Sequence, residues 1–396
     1  MLLILLHECV QNAYVFFVGV ILFLVFFQQR FGTFYFLSIT DEVAQQIIDN
    51  SDSGLKIKKI FSRHITEDPR STTDISDILE DPEISIVCEC IGGEEPAFTY
   101  MSKALQHGKH VVTANKKAVA LHAKELYVLA KQNHVYFGIE ACVAGGIPWI
   151  HNLKHIQRID TITDIQGIFN GTTNYILSGI FENNCSFEDA LHQAQHLGYA
   201  EQDPTDDIDG YDVRYKIALS YLTAFSCLID VQSIPVYGIR NLKDSEIHYA
   251  KDHGYVIKLI GKAEKGRAIV LPVFTRNNTI LSSVSSNFNY VQCRSNYLGL
   301  SSYIGQGAGS LPTAHSVVQD LMDIENKAYS AIENYPLQKL DTDFTGKYYI
   351  RTSDISAFKA IPHTQIQSDI LITDTICYTV LEAVKDHIDF LAEVEQ

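Results

Sequence analysis

The stretch ISIVCECIGGEEPAFTYMSKALQHGKHVVTANK, residues 84–116, reads as strand, glycine turn, helix and strand in succession. ISIVCEC is an apolar, β-branched run that stops at Gly92-Gly93. The helix that follows has Pro96 near its start and Gly108 as its C-cap, each at the end of a helix where it is favoured. HVVTANK (110–116) is the next strand. The same alternation continues on both sides. LKIKKIFSR (55–63) precedes it as a strand; KELYVLAKQNH (124–134) follows as a helix and VYFGIE (135–140) as a third clear strand. Strands and helices at this spacing imply βαβ units and an α/β, doubly wound parallel sheet. Ligands of such sheets bind outside the carboxyl ends of the strands. Those ends carry Arg63, Gly92-Gly93, Asn115-Lys116 and Glu140, all polar or glycine.

The first fifty residues depart from this pattern. AYVFFVGVILFLVFF (13–27) is apolar throughout, yet shorter than the roughly 20 residues a spanning helix needs. It has neither a basic lead nor an A-x-A cleavage site, so a buried strand or helix is expected rather than a membrane tether. DEVAQQIIDN (41–50) has the stripe of an amphipathic helix. A dinucleotide-binding sheet opens on G-x-G-x-x-G, because bare backbone must approach the pyrophosphate. This region holds only Gly19 and Gly32, and RFGTFYF (30–36) puts Phe34-Tyr35 where the last glycine belongs. The N-terminal part of the sheet is therefore expected to be degenerate.

The 396 residues suffice for two or three domains. A net charge of −16 excludes the clustered cations that nucleic-acid binding requires. The eight cysteines are scattered, with no CxxC and no zinc spacing, which implies reduced thiols in a cytoplasmic protein. Beyond residue 150 the pattern becomes α+β. Helices such as DVRYKIALSYLTAF (212–225) mix with alternating strands such as ITDIQGIFN (162–170) and GYVIKLIGKAEKGRAIVLPVF (254–274). LPTAHSVVQDLMDIENKA (311–328) is again helical. The last fifty residues open on a strand, GKYYIRTS (346–353), and close on an amphipathic helix, CYTVLEAVKDHIDFLAE (377–393).

AEQDPTDDIDGYDVRYK (200–216) crowds Glu201, Asp203, Asp206, Asp207, Asp209 and Asp212 ahead of Lys216. Asp212 and Lys216 share one helix face, and acids at a helix start are favoured by the dipole. A capped helix with a routine ion pair explains one or two of these acids. The surplus suits a cation, either a metal or the ammonium of an amino-acid substrate.

This stretch resembles the signature of homoserine dehydrogenases, the NAD(P)-dependent enzymes that interconvert L-homoserine and L-aspartate 4-semialdehyde. IGG-x-EPA (91–97), VVTANK (111–116), EACVAGGIP (140–148), NGTTNYIL (170–177) and GQGAGSLPTAHSVVQDL (305–321) are similar to further blocks of that family, in family order. The resemblance covers residues 55–330. It implies Lys216 as the catalytic lysine and Lys116 as a second one beside the cofactor. Glu201, Asp207 and Asp212 would hold the substrate, with Gly171, Thr172 and Thr173 lining its pocket. Gly92, Gly198, Gly305 and Gly307 would approach the cofactor. Arg63, with no acid at the end of its strand, favours NADP over NAD. EACVAGGIP resembles a monovalent-cation (sodium) site made of Glu140 and the carbonyls of Val143, Gly145 and Ile147, although Gly145-Gly146 and Pro148 also make a tight turn without an ion.

The organisation implied is a Rossmann-like domain (1–150, its first fifty residues aberrant), a substrate and dimerisation domain (151–305), a return segment (306–335) and a truncated ACT-like region (345–396). A homodimer follows from the family. The lost glycines leave one rival, a catalytically impaired homologue that binds an amino acid or a partner.

Overall fold

The computed structural model describes residues 21–26, 54–62, 68–328, 335–341 and 343–395. Arg63, Gly32 and the helix expected over 41–50 lie outside the described residues. The chain divides into two compact units, Met1–His151 with Ala308–Tyr335, and Asn152–Gly307 with Pro336–Gln396.

The first unit is built on six strands: β1 Ile21–Phe26, β2 Lys56–Ser62, β3 Ser71–Thr72, β4 Ile84–Glu89, β5 His110–Thr113 and β6 Phe137–Gly138. All are parallel, in the order β3-β2-β1-β4-β5-β6. This is the order of a doubly wound nucleotide-binding sheet. The apolar run near the N-terminus supplies β1, which pairs with both β2 and β4. A central parallel strand reads as continuous apolar sequence because both faces are covered, which is why periodicity alone left strand and helix open there. VYFGIE contributes only Phe137–Gly138 as strand before turning into a 3₁₀ segment, Glu140–Cys142. The return helix Ser310–Glu325 completes this unit, its Ala314, Val317 and Leu321 packing on Ile60, Ile86, Cys88 and Val112.

The second unit carries a large sheet. Its strands are β7 Ile162–Ile168, β8 Tyr255–Glu264, β9 Arg267–Arg276, β10 Phe288–Ser295, β11 Gly299–Gln306, β12 Thr345–Arg351, β13 His363–Gln365, β14 Ile370–Thr373, β15 Ile376–Cys377 and β16 Phe390–Val394. They run β11-β10-β7-β8-β9-β16-β12-β14-β13, with β15 paired to β12. β8 and β9 form a hairpin closed at Lys265-Gly266, where Gly266 has φ +88° as a tight turn demands.

The C-terminal helix expected over 377–393 is not formed. In its place stand β15, one short helix Thr379–Glu382, a 3₁₀ turn Lys385–His387 and β16. Local amphipathic period lost to long-range pairing: β16 lies antiparallel on β12 and parallel on β9, and buries Phe390, Leu391, Ala392 and Val394. Taken in chain order, β12, β13, β14 and β16 lie 2-3-1-4 across the sheet, with a 3₁₀ turn (Ile355–Phe358) after the first. Within the region expected to be a truncated ACT-like segment, β13 and β14 follow β12 in the chain and precede β16. These strands have no core of their own. Ile350, Leu371 and Leu391 share one apolar cluster with Ile260, Leu271 and Tyr290. No helix among the described residues is long and apolar enough to cross a membrane.

Candidate active site

In the second unit the acid-rich stretch divides. Helix Tyr211–Phe225 starts after Gly210, whose φ of +86° reverses the chain into the helix. Asp212 and Lys216 lie on its inward face, 3% and 8% exposed. Lys216 Nζ donates to Asp212 Oδ2 at 2.7 Å and to the Phe169 carbonyl at 2.7 Å. Asn170 Nδ2 donates to Asp212 Oδ2 at 2.9 Å and to Asp207 Oδ1 at 2.6 Å, joining the two carboxylates. Asn289 Nδ2 adds a second hydrogen bond to the Phe169 carbonyl, at 3.0 Å. Asp207, Asp212 and Lys216, all expected from the sequence, are brought together by the fold.

The other acids do different work. Asp209 binds Arg240 at 2.6 Å, and Asp203 accepts the Thr205 backbone N–H at 3.1 Å. Glu201 is exposed on the loop, its main-chain carbonyl accepting from Gln195 at 3.0 Å. Only the last part of the acid run is desolvated, and there a charge gains most from each partner.

NGTTNYIL forms the start of helix Gly171–Asn183. The capping side chain is Asn170, not a threonine: its Oδ1 accepts the Thr173 N–H at 2.7 Å. The Thr173 hydroxyl donates back to Asn170 at 2.9 Å, and that of Thr172 to the Tyr199 carbonyl at 2.5 Å. A Cβ on Gly171 would stand 2.7 Å from the Asn287 carbonyl. Asn170 and Asn289 are the residues the sequence reading passed over. An Asn directly before a helical run is a capping signal, and that signal locates Asn170; Asn289 lies in a strand and gives none.

The expected cofactor residues fall on both units. In the first, Gly93 has φ +86°, and a Cβ built on Gly92 or Gly93 meets nothing within 4 Å. Among the described residues no atom requires Gly92 to lack a side chain, so with respect to them the turn leaves its backbone open at the strand ends, the cradle a dinucleotide needs. Lys116 begins helix Lys116–Gln132, which Asn115 caps by accepting the Ala118 N–H at 3.0 Å. In the second unit, Gly198 (φ +76°) ends helix Phe187–His196, a reason for glycine independent of any ligand. Gly305 lies on β11 opposite Asn289. A Cβ on Gly307 would fall 2.0 Å from the Asn289 side chain, so packing alone demands glycine there.

Glu140 is 5% exposed and works as a helix cap. Its carboxylate accepts Ile150 N–H at 3.2 Å and His151 N–H at 2.7 Å, at the start of helix Trp149–Gln157. Gly145 O accepts from Ser316 Oγ at 2.6 Å, and Ile147 O from Trp149 N–H at 2.7 Å. Among the described residues, no group of three or more His, Cys, Asp or Glu side chains is placed to hold a metal.

A doubly wound parallel sheet with an open glycine turn, joined in one chain to an α+β unit that buries a lysine against carboxylates, defines a two-unit class built on a dinucleotide-binding fold. Sequence comparison then gives the family. The family model described as "Homoserine dehydrogenase" matches residues 148–322, and "Homoserine dehydrogenase, NAD binding domain" matches 38–140. The homoserine dehydrogenase of Helicobacter pylori is 34% identical over 369 residues, 89% of this chain and 87% of that protein. That of Bacillus subtilis is 39% identical over 282 residues, 70% of this chain and 64% of its own length. The crystal structure of a homoserine dehydrogenase from Thiobacillus denitrificans superposes with a TM-score of 0.81 at 28% identity, covering 95% of this chain and 98% of that one. The chain belongs to the homoserine dehydrogenase family.

Proposed function

We propose that the chain catalyses the reversible NAD(P)-linked interconversion of L-homoserine and L-aspartate 4-semialdehyde, in the cytoplasm, as a step of amino-acid biosynthesis. The observation that carries this reading is the desolvated Lys216–Asp212 pair with Asn170 and Asp207 around it. When bound, the dinucleotide takes up or gives the hydride at C4 of the substrate. Lys216 Nζ moves the hydroxyl proton, and a general acid/base of this kind is worth about 10²–10⁴-fold in rate. Asp212 and the Phe169 carbonyl fix the Nζ position. Glu201 and Asp207 supply negative charge for the substrate ammonium.

Gly92 and Lys116 would hold the dinucleotide in the first unit; for Gly198, Gly305 and Gly307 of the second, a cofactor role rests on the family resemblance alone. Arg63 favours NADP. Glu140 and the carbonyls of Val143, Gly145 and Ile147 are hard oxygens from one turn, chemically suited to a monovalent cation such as sodium; no step passes through that ion. A homodimer is supported by β11, a sheet edge that leaves Leu300 and Ile304 49% and 55% exposed. Reduction of NADP, and separately of NAD, with L-homoserine tests the reading. Absence of turnover with either dinucleotide overturns it.

A further inference from the structure

Glu89 is a fully buried acid that the proton-transfer cluster does not use. Glu89 ends β4 opposite Thr113, which ends β5, and neither has any exposed surface. The Glu89 carboxylate accepts the Ile91 N–H at 2.5 Å and the Thr113 hydroxyl at 2.5 Å. Thr113 Oγ1 in turn accepts the Asn115 N–H at 2.9 Å. The Asn115 amide then reaches back, donating to the Ile91 carbonyl at 2.6 Å and the Gly93 carbonyl at 2.8 Å. Its oxygen caps the helix that begins at Lys116.

These bonds form a closed circuit between two neighbouring strand-end turns, past the point where the sheet ladder stops. The glycine turn is held at Ile91 and at Gly93, and Lys116 is fixed by the cap beside it. A buried carboxylate is a costly way to join two strands, since burial pushes Glu89 up to about 7 while Thr113, Ile91 and Asn115 pull it down. An apolar residue would fill a sheet interior more cheaply, but would leave the Ile91 N–H and the Thr113 hydroxyl without an acceptor.

We infer that Glu89 is a positioning residue: through Thr113 and Asn115 it sets the Gly92-Gly93 turn and Lys116 in register for the dinucleotide. The inference rests on the dinucleotide reading given above. Glu89 itself does not touch the reacting atoms; it acts through the turns it ties.

Glu89→Leu keeps roughly the volume but removes the acceptor of both the Ile91 N–H and the Thr113 hydroxyl. Thr113→Val removes the same link from the other side and serves should the first variant fold poorly. Amide hydrogen exchange of the ligand-free chain is expected to quicken about ten-fold at residues 91–93 and 115–118, with helix Ser310–Glu325 unchanged. NADPH affinity, read by its fluorescence, is expected to weaken about ten-fold, with KM for L-homoserine unaltered. The double variant is expected to bind no worse than either single one, because both break one circuit.

Unchanged exchange in both variants overturns the circuit. Exchange rising across the whole unit, with kcat and both KM values worsening together, reduces Glu89 to a fold-stabilising residue and also overturns the role. A wild-type chain that binds NADPH, beside variants that bind it equally well, sinks the role of Glu89 alone. A wild-type chain that binds neither NADPH nor NADH sinks the dinucleotide reading, and the role of Glu89 with it.

Discussion

Lys216 and Lys258 are both buried in the second unit, and their surroundings differ in kind. Lys216 faces the Asp212 carboxylate and the Phe169 carbonyl. Lys258 Nζ, on β8, donates to two neutral oxygens, Asn174 Oδ1 at 2.9 Å and the Val284 carbonyl at 2.6 Å. Burial pushes Lys258 down to about 8, with the charge of Glu182 opposing. Two asparagines of one helix block, Asn170 and Asn174, serve the two lysines separately. Burial alone therefore does not separate the two lysines; the carboxylate beside Lys216 does, and it is the ground on which Lys216 is proposed as the proton carrier. Lys258 is a clip that ties helix Gly171–Asn183 and Val284 to β8.

The largest separation between the two sites is expected from removing each lysine's charge. Lys216→Ala should cut homoserine oxidation by about 10²–10⁴-fold while NADPH affinity stays within about two-fold. Turnover near wild type would erase the distinction drawn here. The variant also leaves Asp212 buried without its cation, so circular dichroism must accompany the assay.

The asparagines sharpen the contrast. Asn170→Ala removes a helix cap worth about 1 kcal/mol and the bridge between Asp207 and Asp212, so kcat should fall about ten-fold or more. Asn174→Ala should instead lower unfolding free energy by about 1–3 kcal/mol, with kcat nearly intact. Equal effects of the two on kcat would break the comparison.

The smallest effect is the pH dependence of Lys258. Between pH 8 and about 10 the unfolded chain holds a proton on this lysine that the folded chain has released. The unfolded state then binds more protons, so wild-type stability gains up to about 1.4 kcal/mol per pH unit from this group as pH rises. Below pH 8 both states are protonated and the gain is absent. Denaturant melts of Lys258→Met should lack this slope, so the stability difference between wild type and variant should rise with pH across that range.

Much of the first unit was legible because parallel βαβ units write themselves as alternation: residues 55–140 gave strand, turn and helix in the right order. β1 was legible only as an apolar run, since its sequence alternates with neither the strand nor the helix period. The C-terminal strands were illegible for another reason. The pattern over 377–393 fits a helix locally, and only β9 and β12, distant in sequence, make 390–394 a strand. In the site, Lys216 and Asp212 announced themselves by spacing. Asn289 did not, because its value comes from the Phe169 carbonyl and the bare Gly307 backbone, which sequence does not place beside it. The capping of helix Trp149–Gln157 by the Glu140 carboxylate was not legible either, because it depends on a turn returning through space.

The insertion of β16 between β9 and β12 has a consequence for biosynthesis of the chain. During translation β7 to β10 can pair as soon as they emerge, and Pro235–Tyr237 bridges the flank of β9 at Val270, but the Val273–Phe274 end of that flank stays open until residues 390–394 leave the ribosome. For that interval a short apolar strand end offers unpaired main-chain groups to any neighbouring nascent chain, so a stalled or prematurely stopped polypeptide is exposed to sticking at that seam.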